Sequence, residues 1–480
     1  MRIESSQRPA GRARALAAPL LLALALGGCA SGPDYRAPAM PSAAAGAFVS
    51  QSERTNAGAE LPADWWRLYD DATLNGLLQE ALAANPDLRA ALANLDKARA
   101  VYGQARVGLL PSTQLSGGTR YGRNNAAGGG DGPAPRQWSY SGGLEVAYEV
   151  DLFGRVRRDI ESARYDADAV AAAYDAARVL VVADTARAYL NACAYGESEQ
   201  VARASIALAR RNLDLISEQE RAGSASRLDA ERAGVALART EAALAPIEAR
   251  RSAALFELAA LLGRTPAQVP QAARACASPP EVGGAIPVGD GAALLRRRPD
   301  LRQAERRLAA DTARIGVAVA DLYPRVTLGA SGSYLRNDTL TGDRAWSFAL
   351  GPLVSWSFPN IAAARSRIEQ AEAQSAASLA RFDGAVLNAL KETEQALSAY
   401  DAAIRQRDAL VQARTRADNA FRLAEQRYRA DSISYLDVLV AQDSLVTAMS
   451  QEAALKQQVG SARVDVFKVL GGGWEPGVVN

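Results

Sequence analysis

The sequence predicts a mainly α-helical chain that carries two β-hairpins and consists of one unit repeated twice. Three observations carry this reading: a long internal repeat, two segments of strict period-two alternation, and two long proline-free spans. Each predicts a different element.

The repeat comes first, because it organises the chain. "RAGSASRLD" (Arg221–Asp229) returns as "RADSISYLD" (Arg429–Asp437), 208 residues later. "NPDLRAA" (Asn85–Ala91) answers "RPDLRQA" (Arg298–Ala304) at an offset of 213, as Pro111 answers Pro324. From Trp138 and Trp346 onward the offset is 208, through Tyr148 and Trp356, Ile160 and Ile368, and Leu262-Gly263 and Leu470-Gly471. The change falls in "NNAAGGGDGPAP" (Asn124–Pro135), a turn-forming loop that is shorter in the second copy, "RNDTLTGD" (Arg336–Asp343).

The N-terminus reads as an address. Arg2, Arg8, Arg12 and Arg14 precede a short apolar core, Ala15–Gly28. That core is too short to span a membrane and fits a secretory signal over 1–28. It ends in "LGGC", which resembles the bacterial lipobox and implies cleavage before Cys29 and acylation of that cysteine. Removing the signal takes the net charge from +2 to −1. Ala30 follows, and residues 29–64 are expected to be a lipidated tether.

Each unit then opens with helix, 65–111 in the first copy and 292–324 in the second, stopped by Pro111 and Pro324. A hairpin follows, 112–152 and 325–359. In "WSYSGGLEVAYEV", Trp138, Tyr140, Gly142, Leu144, Val146, Tyr148 and Val150 share one face. Ser139, Ser141, Gly143, Glu145, Ala147 and Glu149 share the other. Trp346, Phe348, Leu350, Pro352, Val354, Trp356 and Phe358 repeat the first face. The first strands alternate more weakly, through Thr113, Leu115, Gly117, Thr119 and Tyr121, and through Val326, Leu328, Ala330, Gly332 and Tyr334. Aromatic outer positions opposite small polar inner ones fit a membrane barrel with a wet interior. A soluble hairpin with one buried face is the competing reading. Four strands would leave open edges in lipid, which argues for closure across several chains.

No proline occurs between Pro135 and Pro246, or between Pro359 and Pro476. Ala, Leu, Arg and Glu at helical spacing fill Gly154–Ala222 and Ala362–Ala430. A helix of about 69 residues at about 1.5 Å rise would be on the order of 100 Å long. Such helices need lateral partners, as in coiled coils. Long helix, tip and return helix are expected over 153–263 and 360–473, with a belt linker at 264–291 and a tail at 474–480.

Composition narrows the function. Hydrophobic residues are 49% and aromatics only 6%, which fits closely packed helices rather than a bulky core. There is no histidine, so the commonest general base and metal ligand is missing. No dinucleotide, P-loop or HExxH motif appears, and no basic stripe suggests nucleic acid. The chain reads as neither an enzyme nor a metal or cofactor protein. Cys193 and Cys276 could pair in an oxidising compartment or both stay free.

The duplicated helix–hairpin–long helix–return helix plan, the lipobox, "WWRLYDDATLNGLL" (Trp65–Leu78), "YEVDLFGRVR" (Tyr148–Arg157) and the closing "LGGGW" (Leu470–Trp474) together resemble the TolC/OprM-like outer-membrane factor family, its NodT-type branch. The resemblance covers nearly the whole mature chain. It implies a homotrimer in the outer membrane of a Gram-negative bacterium, with four strands per chain in a closed twelve-strand barrel continuous with a periplasmic α-helical barrel. It implies a passive, gated exit duct fed by a periplasmic adaptor and an inner-membrane pump of the RND type.

Two readings meet at the tips. Ser226-x-x-Asp229 and Ser434-x-x-Asp437 fit helix capping boxes, with Gly223 or Asp431 as the left-handed turn residue. The family resemblance instead implies adaptor docking through Arg221, Gly223, Ser224, Leu228, Arg429, Ser432 and Leu436. It also implies a periplasmic constriction drawn from Asp229, Leu436, Asp437, Val440 and Asp443. Many relatives read "LDAQ" where this chain reads "LVAQ" (Leu439–Gln442), so the expected acid is Val440 here, and Asp437 or Asp443 would have to replace it. Alternatives of the same build are a type I secretion channel and a metal-efflux channel. From another class comes a poreless periplasmic coiled-coil lipoprotein.

Overall fold

A computed structural model describes residues 31–39, 44–59, 61–123, 136–357 and 361–474. The signal segment, Cys29 and the tail from 475 onward lie outside the described residues. In chain order the elements are β1 (Thr55–Asn56), a 3-10 turn (Trp65–Tyr69), α1 (Ala72–Ala84), α2 (Pro86–Val107), β2 (Ser112–Gly122) and β3 (Gln137–Val150). Then come α3 (Arg155–Arg221), α4 (Arg227–Ala242), α5 (Leu244–Leu261), α6 (Gln271–Ala275), β4 (Ile286–Pro287), α7 (Gly291–Arg297) and α8 (Pro299–Ala320). β5 (Arg325–Arg336), β6 (Trp346–Ser355), α9 (Ile361–Arg429) and α10 (Tyr435–Val469) complete the second copy. The duplicated helix–hairpin–long helix–return helix plan is therefore present, with long helices of 67 and 69 residues.

The chain divides into two compact units. The first holds an antiparallel sheet in the order β2-β3-β5-β6, so the two hairpins lie side by side and β2 and β6 are its edges. The register puts the alternation in phase on every strand. Tyr121 opposes Trp138, Leu144 opposes both Leu115 and Gly332, and Gly332 opposes Phe348. One face is thus mainly apolar, broken by Thr113 and Thr119, and it is uncovered: Leu115, Trp138 and Leu350 are exposed, and Phe348 is 89% exposed. Aromatic pairs cluster near the hairpin loops, with Tyr121 and Trp138 at 5.3 Å and Tyr334 and Trp346 at 4.9 Å between ring centroids. The other face carries Ser116, Ser139, Ser141, Ser333 and Ser347, whose hydroxyls bond to strand carbonyls or to each other. That is the apolar-out, polar-in pattern of a strand wall between lipid and water.

The same unit pins residues 31–38. Residues 31–38 were expected to be part of a loose tether, but their contacts are specific. Ser31 donates from both its amide and its hydroxyl to the Phe153 carbonyl, Asp34 pairs with the buried Arg158 at 2.6 Å, and the Tyr35 hydroxyl donates to Glu305 at 3.0 Å. Gly32 and Gly316 make the approach possible. A Cβ on Gly32 would sit 2.5 Å from the Gly316 Cα, and one on Gly316 would sit 2.6 Å from the Ser31 carbonyl oxygen.

The second unit holds the main core. Trp65 is fully buried against Phe467, with centroids 4.5 Å apart, and Leu74, Leu78, Val182, Leu258, Ile286, Leu397 and Val464 surround them. Alanines 186, 188 and 192 on α3 are buried there, so small residues let the helices approach closely. The repeat reappears as paired contacts. Gly263 (φ +69°) closes α5 over the Ala84 carbonyl, and Gly471 (φ +72°) closes α10 over the Arg297 carbonyl. Asn85 donates to the Leu261 carbonyl at 2.9 Å, and its counterpart Arg298 donates to the Val469 carbonyl at 3.2 Å.

The copies differ in their return helices. One helix was expected in each, but the first is split at Ala243 into α4 and α5, while α10 is continuous over 35 residues. Pro246 explains the split. It has no N–H to donate and is tolerated only in the first turn of a helix, where α5 places it.

Cys193 and Cys276 are disulfide-bonded, with Cα atoms 4.9 Å apart. The bond fastens the 264–291 linker to α3. One turn on, a Cβ at Gly196 would lie 2.6 Å from the Cys276 carbonyl oxygen, and Arg251 joins Glu199 of α3 to the carbonyls of Arg274 and Cys276. Replacing both cysteines by serine should destabilise this region by about 2–4 kcal/mol. Hydrogen exchange should show faster amides over 266–291, with the sheet amides unchanged. Wild-type exchange in that stretch would mean that Arg251 and packing alone hold the linker.

Candidate functional site

Two helical tips are the candidate site, and their backbone chemistry is nearly the same. α3 ends at Arg221, and Gly223 (φ +74°) reverses the chain. The Gly223 amide donates to the Glu220 carbonyl and the Ser224 amide to the Gln219 carbonyl, both at 2.9 Å. At the second tip Asp431 adopts φ +55°, and the amides of Asp431 and Ser432 donate to Tyr428 and Arg427, again at 2.9 Å. Both are left-handed helix stops that satisfy carbonyls otherwise left bare. The chain re-enters helix at a serine each time. Ser226 accepts from the Asp229 amide, and its hydroxyl donates to the Asp229 carboxylate at 2.6 Å. Ser434 forms the full reciprocal box, with its own amide donating to Asp437 at 3.0 Å.

The tips diverge in what fills them. Arg227 of the first is exposed and faces Glu231 at 3.8 Å. Its counterpart Tyr435 is 5% exposed and centres a small core with Ile216, Phe421, Val438 and Leu445. Its ring lies 5.6 Å from Tyr428, whose hydroxyl donates to Gln219 at 2.6 Å and so ties the second tip to the first. Burial, with Tyr428 and Asp229 nearby, pushes the Tyr435 hydroxyl up to about 12.

The predicted docking residues Arg221, Gly223, Ser224, Leu228, Arg429, Ser432 and Leu436 are all exposed. The constriction candidates separate into two groups. Asp229 and Asp437 spend their carboxylates on helix capping, and Asp229 also meets Arg232 at 3.4 Å. Leu436, Val440 and Asp443 lie at helical spacing on one face of α10 and remain exposed. They border a cavity of about 690 Å³ together with Leu228, Val235 and Arg239 of α4. Asp443 makes no ion pair among the described residues.

One pair was missed from sequence. Asn212 of α3 and Gln442 of α10, the latter part of the cavity lining, are buried and hydrogen-bond to each other. Two amides at otherwise apolar helical positions were the available signal, but nothing in the sequence matches one to the other across 230 residues.

A family model described as "Outer membrane efflux protein" matches the chain twice, at residues 77–264 and 292–472. The chain is 31% identical to nodulation protein T of Rhizobium leguminosarum bv. viciae, covering 95% of this chain and 92% of that one. It is also 31% identical to the solvent efflux pump outer membrane protein SrpC of Pseudomonas putida, covering 95% and 98%. Among solved structures, the outer-membrane channel OprN superimposes with a TM-score of 0.86 at 32% identity, over 93% of this chain and all of that one.

The two left-handed residues generate opposite expectations. Gly223→Ala should loosen the first tip by about 1 kcal/mol, because a Cβ is strained at positive φ. Asp431→Gly should tighten the second by relieving that strain. Hydrogen exchange at the Ser224 and Ser432 amides should then rise about five-fold in the first variant and fall in the second. Equal changes of one sign in both would mean that turn strain does not set tip stability.

Proposed function

This chain belongs to the outer membrane efflux protein family, and from that premise we propose how its residues serve the outer-membrane channel of an efflux system. As a channel it is not an enzyme, and its place is the bacterial outer membrane. The observation that carries the reading is the four-stranded sheet, which has one uncovered apolar face and two unpaired edges. Three copies joined edge to edge, β6 of one to β2 of the next, make a twelve-strand barrel in which every backbone group finds a partner. Serines and glycines then line a wet interior that selects little. Acylated Cys29 anchors the start of the chain in lipid, and residues 31–38 hold that anchor against α3 and α8.

The tips are the surfaces that a periplasmic adaptor reads, and an inner-membrane pump, of the RND type, supplies both cargo and energy. Arg221, Gly223, Ser224 and Leu228 present one surface, and Arg429, Ser432 and Leu436 another. SrpC is a solvent-pump channel by its name; the cargo here follows the pump and not the duct.

The constriction is formed by Leu436, Val440 and Asp443. Asp229 and Asp437 are structural, because capping already occupies their carboxylates. Around a three-fold axis, three Leu436 side chains form an apolar ring, and three Asp443 carboxylates repel one another and favour opening.

Planar-bilayer conductance of the purified protein tests this. Leu436→Ala should raise conductance several-fold, and Asp443→Asn should lower open probability and cation selectivity. Asp437→Ala should leave conductance unchanged and cost about 1 kcal/mol of tip stability. Wild-type conductance in both Leu436→Ala and Asp443→Asn would place the constriction elsewhere.

A further inference from the structure

Arg463 of α10 is a buried cation without a counter-ion. It is 6% exposed, and no carboxylate lies within ion-pairing distance among the described residues. Its Nε is buried with no hydrogen-bond partner. Its guanidinium carbon lies 5.8 Å from the ring centroids of both Tyr69 and Tyr400. The rings and hydroxyls of Tyr69 and Tyr400 offset part of the desolvation cost of this buried guanidinium but supply no negative charge. The Tyr69 hydroxyl beside it is also buried without a partner. Burial pushes that hydroxyl up to about 12, with Arg463 acting in the opposite direction, so the tyrosine stays neutral and offers no anion.

Arg463 and Tyr400 form one side of a cleft of about 330 Å³ that Arg54, Arg407, Glu53, Asp408 and the 282–285 loop complete. Asp408 is already taken. Arg54 reaches it at 3.0 Å and Arg407 at 3.1 Å, and these contacts hold its carboxyl below the usual range. Glu53 is exposed and pairs with none of the three arginines. The cleft therefore holds three guanidinium groups and two carboxylates, and the buried guanidinium is the unmatched one. It is much larger than a water molecule, whose share of liquid volume is about 30 Å³.

We propose that the cleft between Arg54, Arg407 and Arg463 binds a small free oxyanion, a phosphate or carboxylate. Planar guanidinium forks suit such groups because they offer paired N–H donors to two oxygens at once. The bound anion would supply the negative charge that Arg463 lacks. It would also bridge α9 and α10 to the ends of the short parallel pair, where Thr55 lies beside Ile286. The site does not depend on the constriction or on adaptor docking.

The test uses the full-length protein purified in detergent. Its unfolding temperature is followed against inorganic phosphate, and separately acetate, with chloride at matched ionic strength as reference. The expected result is a saturable rise with at least one oxyanion and none with chloride. Arg463→Met should weaken that binding about ten-fold or more, and Arg407→Gln should weaken it less, because Arg54 still holds Asp408. Arg210→Gln removes an exposed arginine that pairs with Glu241 elsewhere and should change nothing. A response no larger than that of chloride overturns the proposal. So does wild-type affinity in Arg463→Met or, if that variant fails to fold, in Arg407→Gln.

Discussion

Among the described residues, strands β2 and β6 each carry a row of backbone N–H and C=O groups with no neighbouring strand in the protomer. In water that edge would be tolerable. Beside an apolar face as exposed as that of Phe348 and Leu350 it is not, because that face belongs in lipid, where unpaired backbone groups cost several kcal/mol each. The remaining features follow from closing those edges. Closure requires identical copies, and identical copies require a repeat whose first and last strands are mutually complementary. The in-phase register of all four strands keeps the apolar residues on one side, so that joining β6 to β2 continues a single lipid-facing band.

The duplication satisfies the same backbone demand with different side chains. At the end of each return helix a glycine at positive φ lets the turn lie on the carbonyl that closes a helix in the same repeat, Ala84 in one copy and Arg297 in the other. A neutral amide bonds the last carbonyls of α5 in the first copy. In the second copy Arg298 bonds those of α10 while also pairing with Asp300 and Glu392. Backbone geometry is held constant, and the side chains are free to diverge. That freedom is why the two tips share their turn and capping hydrogen bonds yet present Arg227 in one place and bury Tyr435 in the other.

Local rules made much of this legible in the sequence. The hairpin faces were readable because alternation has a period of two, and the long helices because proline is missing where it would break them. The Ser-x-x-Asp caps were readable because capping acts over three residues. What escaped depends on contacts between distant segments. The pairing of Cys193 with Cys276 was left open, since an 83-residue separation says nothing about Cα distance. The docking of residues 31–38 rests on one glycine facing another from 284 positions away, and a small-residue segment reads as tether without its partner. At the candidate site, the sequence named both Asp437 and Asp443 but could not rank them. The ranking came from seeing which carboxylate the serine had already engaged.

That ranking bears on the constriction proposed at the tips. A carboxylate that caps a helix is fixed by its hydrogen bonds and cannot also respond to charge across a pore, whereas Asp443 has no such commitment. Val440, one turn before it, carries no charge, so in the proposed constriction the repulsion at this level comes from Asp443 alone, one carboxylate per chain. Fewer like charges around a three-fold axis mean a weaker push toward opening. The second tip also carries more of the packing that holds the tips together, because Tyr435 packs on Tyr428, whose hydroxyl donates to Gln219 of the first. Both differences act in one direction. On the proposed assignment of the constriction, both resist opening and leave that work to whatever engages the exposed residues of the tips.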